Sequence, residues 1–165
     1  MVPSILELCA GLPEREFEEG EFLLREGESS KSELFVLIEG SLEILKGEDV
    51  SISVITDPGA VIGEMSILLG IPISASVRAC ERTRCYVAAD GDAFLRDHPE
   101  TAFIIARLLA RRLHLATTYL ADIKRQFEGE DASLAMLDQV LETILNHHDH
   151  DDIEPGSDRE REPNY

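Results

Sequence analysis

Between Glu19 and Val87 the chain is cut into short apolar or β-branched runs by glycine, and this punctuation limits the fold more than any other feature. The runs are Glu21–Leu24, Leu34–Ile38, Ser41–Leu45, Val50–Ile55, Ser74–Ala79 and Arg84–Ala88. Gly20, Gly27, Gly40, Gly47 and Gly59 stand between or beside them. Runs of four to six residues are too short for amphipathic helices. At this regular spacing they predict an all-β sandwich or barrel. Gly27 and Gly40 fit turn positions that need a positive φ. One stretch breaks the rhythm: Gly63–Gly70 lacks alternation and reads as one or two helical turns ended by Gly70.

Helical periodicity flanks this β region. Residues 4–10 predict a short amphipathic helix, and Gly91–Asp97 another. Pro99 then sits near the start of a long helix, where its missing N–H does least harm. Ile105, Leu109, Leu113, Ala116, Leu120, Ile123 and Phe127 follow one another at intervals of three and four, forming a single apolar seam. Leu108, Leu115 and Tyr119 add a second line beside it. Two apolar lines on one helix imply two surfaces to cover: the chain's own β body and, by coiled-coil-like packing, the same helix of a second copy. The alternative is a helix sandwiched within one chain. A further amphipathic helix is expected from Ala132 to about Asn146, on Leu134, Leu137, Leu141 and Ile144.

Charge divides the chain at Phe127. Of a net −18, residues 128–165 carry twelve acidic against two basic residues. The expected organisation is a principal domain over 1–127, an added helix over 128–146, and an acidic disordered tail over 147–165. A surface this acidic repels nucleic acid and anionic membrane. No apolar run approaches the roughly 18 residues of a membrane span, and the N-terminus lacks a basic signal-peptide start. Cys9, Cys80 and Cys85 are too few and scattered for a disulfide framework, which suggests a reducing cytoplasm. His147, His148, Asp149, His150, Asp151 and Asp152 offer metal-ligating groups, but in a polar tail they read as solvated side chains. No metal site is expected. No set of nucleophile, base and oxyanion donor is apparent, so no enzyme is expected.

The stretch with the most chemistry is Ile62–Ala79, IGEMSILLGIPISASVRA. A strand enters Gly63-Glu64, a short helix follows, and a strand returns. The free N–H groups of the turn favour an anion. Glu64 can accept hydrogen bonds from a hydroxyl such as that of a ribose.

Here the sequence resembles the cyclic-nucleotide-binding domain shared by the catabolite activator protein, the regulatory subunits of cyclic-AMP-dependent kinase and gated channels. Gly63, Glu64, Met65, Ser66, Ile67, Pro72, Ser74 and Ala75 match that family's phosphate-binding cassette. GEFLLREGE (20–28), LFVLIEGSLEIL (34–45), PGAVIGE (58–64) and LLARRL (108–113) are similar to family segments in the same order, so that the likeness spans about residues 12–126. The resemblance implies a mainly β, double-stranded β-helix (jelly-roll) domain with flanking helices and a long C-terminal helix that dimerises. It implies cyclic AMP or cyclic GMP as candidate ligand, held by Gly63, Glu64, Met65, Ser66, Ser74 and Ala75, with Thr117 or Thr118 meeting the base. The family places an arginine directly after the cassette proline to grip the cyclic phosphate, and this chain has Ile73 there. A charge-assisted contact of that kind contributes roughly 1.5–3 kcal/mol, or about 10- to 150-fold in affinity. Strand alternation turns Arg78 to the face opposite Ile73, so it is not a substitute. The family's activators append a DNA-binding domain of roughly 70–80 residues (part of the resemblance, not of the residues), whereas 38 residues follow Phe127 here.

Two functions follow. One is a non-enzymatic, dimeric sensor of a small phosphorylated ligand without a DNA-binding output. The other is an interaction module with a degenerate pocket, engaging an unknown protein partner through its C-terminal helix.

Overall fold

The computed structural model describes residues 3–47, 50–126 and 131–146, with side chains in the last segment given for 136–144. The boundary expected at Phe127 and the acidic tail, with its histidines, lie outside the described residues. The chain divides into two compact units, Met1–Leu109 and Ala110–Tyr165.

In the first unit, α1 (Ile5–Cys9) is followed by β1 (Glu14–Phe17), β2 (Phe22–Leu24), β3 (Leu34–Glu39), β4 (Leu42–Lys46), β5 (Val50–Ile55) and β6 (Val61–Ile62). Next come α2 (Glu64–Leu69), β7 (Ser76–Ala79), β8 (Thr83–Ala88), α3 (Gly91–Asp97) and the start of α4 (Pro99–Gln126). Two antiparallel four-stranded sheets form, in the orders β1-β8-β3-β6 and β2-β7-β4-β5. This is the expected jelly roll.

Strand alternation explains how the layers stack. On β3, Phe35 and Leu37 face the core between the sheets, while Leu34 and Val36 face the helices. All four are buried. Ile62 and Val61 on β6, and Val87 and Ala88 on β8, divide the same way. The first sheet is therefore a middle layer. Beyond it lie Ile5 and Cys9 of α1, Leu95 of α3 and Ile105 of α4. The second sheet covers the other side of the inter-sheet core with Leu23, Leu42, Val77 and Ala79; its remaining face is half-buried to exposed except at Leu45, which is buried. That outward face carries the Arg78–Glu43 ion pair at 2.6 Å, beside Phe22. Burial pushes the thiol of Cys9 up to about 11 and that of Cys85 up to about 12.

The chain passes between sheets at Gly40, where a positive φ of 101° joins β3 to β4. A Cβ there would lie 2.7 Å from the Cα of Thr83, so the corner requires glycine on both counts.

Several elements differ from the sequence expectation. β1 carries too little pattern to be recognised, exposing three of its four residues, and β6, the strand expected to enter Gly63, has only two residues. The strand expected over Ser74–Ala79 begins at Ser76, because the backbone bends at Ala75. The first helix, the cassette helix and α3 fall where expected.

The second unit contains the rest of α4 and α5 (Asp131–Asn146). Within it, Lys124 pairs with Asp138 across the two helices. Of the seam residues, Ile105 is buried and Leu109 half-buried in the first unit. In the second, Leu120 and Ile123 are half-buried, while Leu113 and Ala116 are exposed. Leu115 and Tyr119 are exposed as well. Among the described residues no helix is long and apolar enough to cross a membrane.

Candidate functional site

The cassette is built around Gly63, the N-cap of α2, with φ of 94°. Any side chain here would be strained, and its Cβ would sit 2.7 Å from the carbonyl oxygen of Glu33. Glycine thus lets the end of β6 press against the loop that leads into β3. The Oγ of Ser66 donates to the carbonyl of Gly63 at 3.1 Å and fastens the first turn of α2. Gly70, also left-handed, ends the helix.

Of the residues expected to hold ligand, Glu64, Ser66 and Ile73 are buried, at 5%, 6% and 6% exposure. Met65 is exposed, and Ser74 and Ala75 are half-buried. Ile73 is fixed through its backbone: its N–H donates to the Glu28 carbonyl at 3.0 Å, and its carbonyl accepts from Gly27 N–H at 2.9 Å. The position where the family carries arginine is thus a tied-down aliphatic side chain. Arg78 is paired with Glu43, in register with it across β4 and β7. Its side chain lies on the face opposite Val77, as alternation predicts.

A cation does reach the cassette, from a strand that sequence reasoning passed over. Leu42 and Ile44 face the inter-sheet core from β4, and alternation assigns Lys46, at the exposed end of the strand, to the same row. The Lys46 ammonium donates to the Ser74 carbonyl and pairs with Glu26 at 2.7 Å. Glu26 is anchored in turn: its second carboxylate oxygen accepts from Gly47 N–H at 2.7 Å, and its own N–H donates to the Ser76 Oγ at 2.9 Å. The Lys46 hydrogen bond, helped by Gly47, holds the Glu26 carboxyl below the usual carboxylate range. The available sequence signal was the alternation Leu42-Ile44-Lys46, which places a charge at the end of an inward-facing row.

The wall beside Lys46 is open. Residues directly opposite in an antiparallel ladder share a face. Ile44 lies opposite Ser53 and Lys46 opposite Val50, with Ile52 as the extra residue of a bulge. Ile44 is half-buried, yet Ser53 is exposed and Val50 is 65% exposed. The inward row of β4 and β5 therefore meets solvent at the end nearest Ser74. On the far side of α2, Ser66, Ile67, Gly70, Ile71 and Pro72 line a separate cavity of about 580 Å³ with Ser29, Ser30, Ser32, Asp90 and Asp92. Both aspartates are engaged: Asp90 caps α3 through Ala93 N–H, and Asp92 pairs with Arg96. Ser66 is the one expected ligand residue at that cavity.

Thr117 and Thr118 belong to the second unit. Thr117 donates to the carbonyls of Leu113 and His114, and Thr118 to that of His114. Each hydroxyl proton is thus used within the helix, leaving oxygen lone pairs as acceptors. Among the described residues no three potential metal ligands cluster.

The family model for the cyclic nucleotide-binding domain matches residues 14–97. Among solved structures, the chain is similar to the catabolite activator protein of Thermus thermophilus, with 27% identity and a TM-score of 0.61 over 74% of this chain. It spans 60% of that protein's length. It is also similar to the N-terminal domain of a transcriptional regulator from Streptomyces coelicolor A3(2), with 28% identity and a TM-score of 0.50, covering 67% of this chain and 81% of that one. A kinase regulatory domain, PKAR CBD2 bound to Sp-2Cl-cAMPS, shares the fold at 23% identity and a TM-score of 0.52, over 68% and 71% of the two chains. No curated protein sequence matches the chain.

Proposed function

The chain belongs to the cyclic nucleotide-binding domain family, and from that premise we propose a non-enzymatic, cytoplasmic regulatory module that senses a cyclic nucleotide or a related nucleoside with a weaker grip on phosphate. The observation that carries this reading is the open inward wall of β4 and β5, ending beside Ser74 of the cassette. A wall filled by side chains would not leave Ser53 and Val50 exposed on a core-facing row. Gly63, Glu64, Met65, Ser66, Ser74 and Ala75 are the proposed ribose and phosphate contacts within the first unit; Thr117 and Thr118, in the second, keep acceptor lone pairs suited to a base. Signal would pass inside the first unit from α2 to α3, whose first residue, Gly91, has no room for a Cβ against Ile67 and Leu34.

Ile73 sets the expected strength. Without a guanidinium, the ligand gives up a contact worth about 10- to 150-fold in affinity. Calorimetric titration with cyclic AMP, cyclic GMP and adenosine tests the reading. The native protein should bind at least one of them, and Ile73→Arg should tighten the cyclic nucleotides about tenfold or more while leaving adenosine unchanged. Absence of binding to all three, by both proteins, overturns it.

A second reading is favoured by a different observation. Leu113, Leu115 and Tyr119 are exposed on α4 in the second unit, and Met136 and Val140 on α5. These apolar side chains suit a second copy of the chain or a protein partner. They support homodimerisation through the α4 seam, and they would serve equally a module with an unused pocket. The net charge of −18 argues against nucleic acid as the partner.

A further inference from the structure

We propose that Lys46, restrained by Glu26, is the cation that faces the ligand's phosphate in this protein, in place of the missing charge at position 73. This deepens the nucleotide-sensing reading and rests on it. Three observations converge. Lys46 closes the inward row of β4, on the face left open at Ser53 and Val50. Its ammonium already meets the backbone of Ser74 inside the cassette. Ile73 is buried and tied at both backbone groups, so the cassette holds an aliphatic group where a charge is expected.

An ammonium is a compact charge on a flexible four-carbon stem, and it can exchange one oxygen partner for another without moving its strand. Its partners are the Glu26 carboxylate and the Ser74 carbonyl. Glu26 therefore cancels the charge an entering anion would meet. An anionic ligand must displace Glu26 from Lys46, whereas an uncharged nucleoside need not. The pair acts as a latch that lowers affinity for phosphate and leaves the sugar and base contacts untouched. Glu26 keeps a second anchor at Gly47 N–H, so it has a fixed position to return to.

The latch makes opposite predictions for its two halves. Glu26→Gln keeps an oxygen for Gly47 and removes the charge. Lys46→Met keeps the stem and removes the ammonium. Lys46→Arg keeps the charge. Calorimetry with cyclic AMP and adenosine should show Lys46→Met losing about tenfold or more for cyclic AMP and nothing for adenosine. Glu26→Gln should gain severalfold for cyclic AMP alone, and Lys46→Arg should bind like the native protein. Raising the salt should erode the cyclic AMP affinity of the native protein and barely affect that of Lys46→Met. Thermal melts matching the native protein within a few degrees exclude misfolding as the cause. If Lys46→Met binds cyclic AMP like the native protein, or loses both ligands equally, Lys46 is not the phosphate cation, though the pocket stands. If none of the proteins binds either ligand, the sensing reading falls and this assignment with it.

Discussion

The two sheets are made of similar strands and live in different surroundings. The first, β1-β8-β3-β6, lies between the inter-sheet core and the helices, and β3 is buried on both faces. The second, β2-β7-β4-β5, has core on one side only, and its edge strand β5 exposes Val50, Ile52 and Val54 by more than half. Both have four antiparallel strands, so hydrogen-bonding pattern does not account for the difference. Layer position does. The sheet that is covered twice is buried on both faces along β3, and the sheet that is covered once leaves a wall open to solvent at β5. The residues proposed to contact phosphate lie on β4, at the end of β6, and on the short helix and loop that lead from β6 to β7.

Truncation tests this contrast most severely. Phe35→Ala removes a fully buried ring from β3 and should cost about 3–5 kcal/mol in denaturant unfolding. Ile52→Ala, on the bulge of β5, should cost less than about 1 kcal/mol. Comparable losses at the two positions would mean that β5 is covered in solution, by a partner or by part of the chain itself. A smaller effect sharpens the picture of the helical layer. The Thr101 hydroxyl at the start of α4 is buried and has no hydrogen-bond partner among the described residues. Thr101→Val should therefore raise unfolding stability by about 1 kcal/mol. A loss in that variant would reveal a bonded hydroxyl. The smallest effect belongs to the solvent face of the second sheet. Hydrogen bonds from Arg78, and then from Ser51, hold the Glu43 carboxyl below its ordinary value of 4.5. A depressed folded-state pKa stabilises above the unfolded value and is lost as pH falls through the folded one. Urea midpoints followed downward from about pH 5 should decline less steeply for Glu43→Gln than for the native protein, and parallel curves would remove Glu43 from the account.

The contrast also marks what could be read from the residues alone. Glycine spacing located β2 to β5, because positive-φ corners such as Gly40 leave a local signature; β6 was read from the approach to Gly63, and β7 and β8 from their apolar runs. β1 left none: Glu14, Arg15 and Glu16 are all charged and exposed on an edge, so only its pairing with β8 makes it a strand. Ile73 was legible as a substitution because it follows directly on Pro72. Lys46 was not, since its importance comes from β4 lying beside the cassette and from a turn twenty residues upstream that delivers Glu26. The seam of α4 was legible as a period and not as a destination. Ile105 enters the core of the first unit, while Leu113 and Ala116 in the second are exposed, and spacing alone cannot distinguish a stripe for the chain's own core from one for a second molecule.

The junction of α2 and α3 carries a mechanical consequence. A Cβ on Gly91 would come within 2.7 Å of both the Ile67 side chain and the Ser32 carbonyl, which already accepts Gly91 N–H at 2.6 Å. Gly91 thus fixes how closely α3 approaches Ile67 of α2 and the loop before β3, as a spacer of zero thickness. A methyl group inserted at that spot would wedge the pair apart, and if α2 and α3 relay binding as proposed, Gly91→Ala would keep ligand affinity and lose the relay.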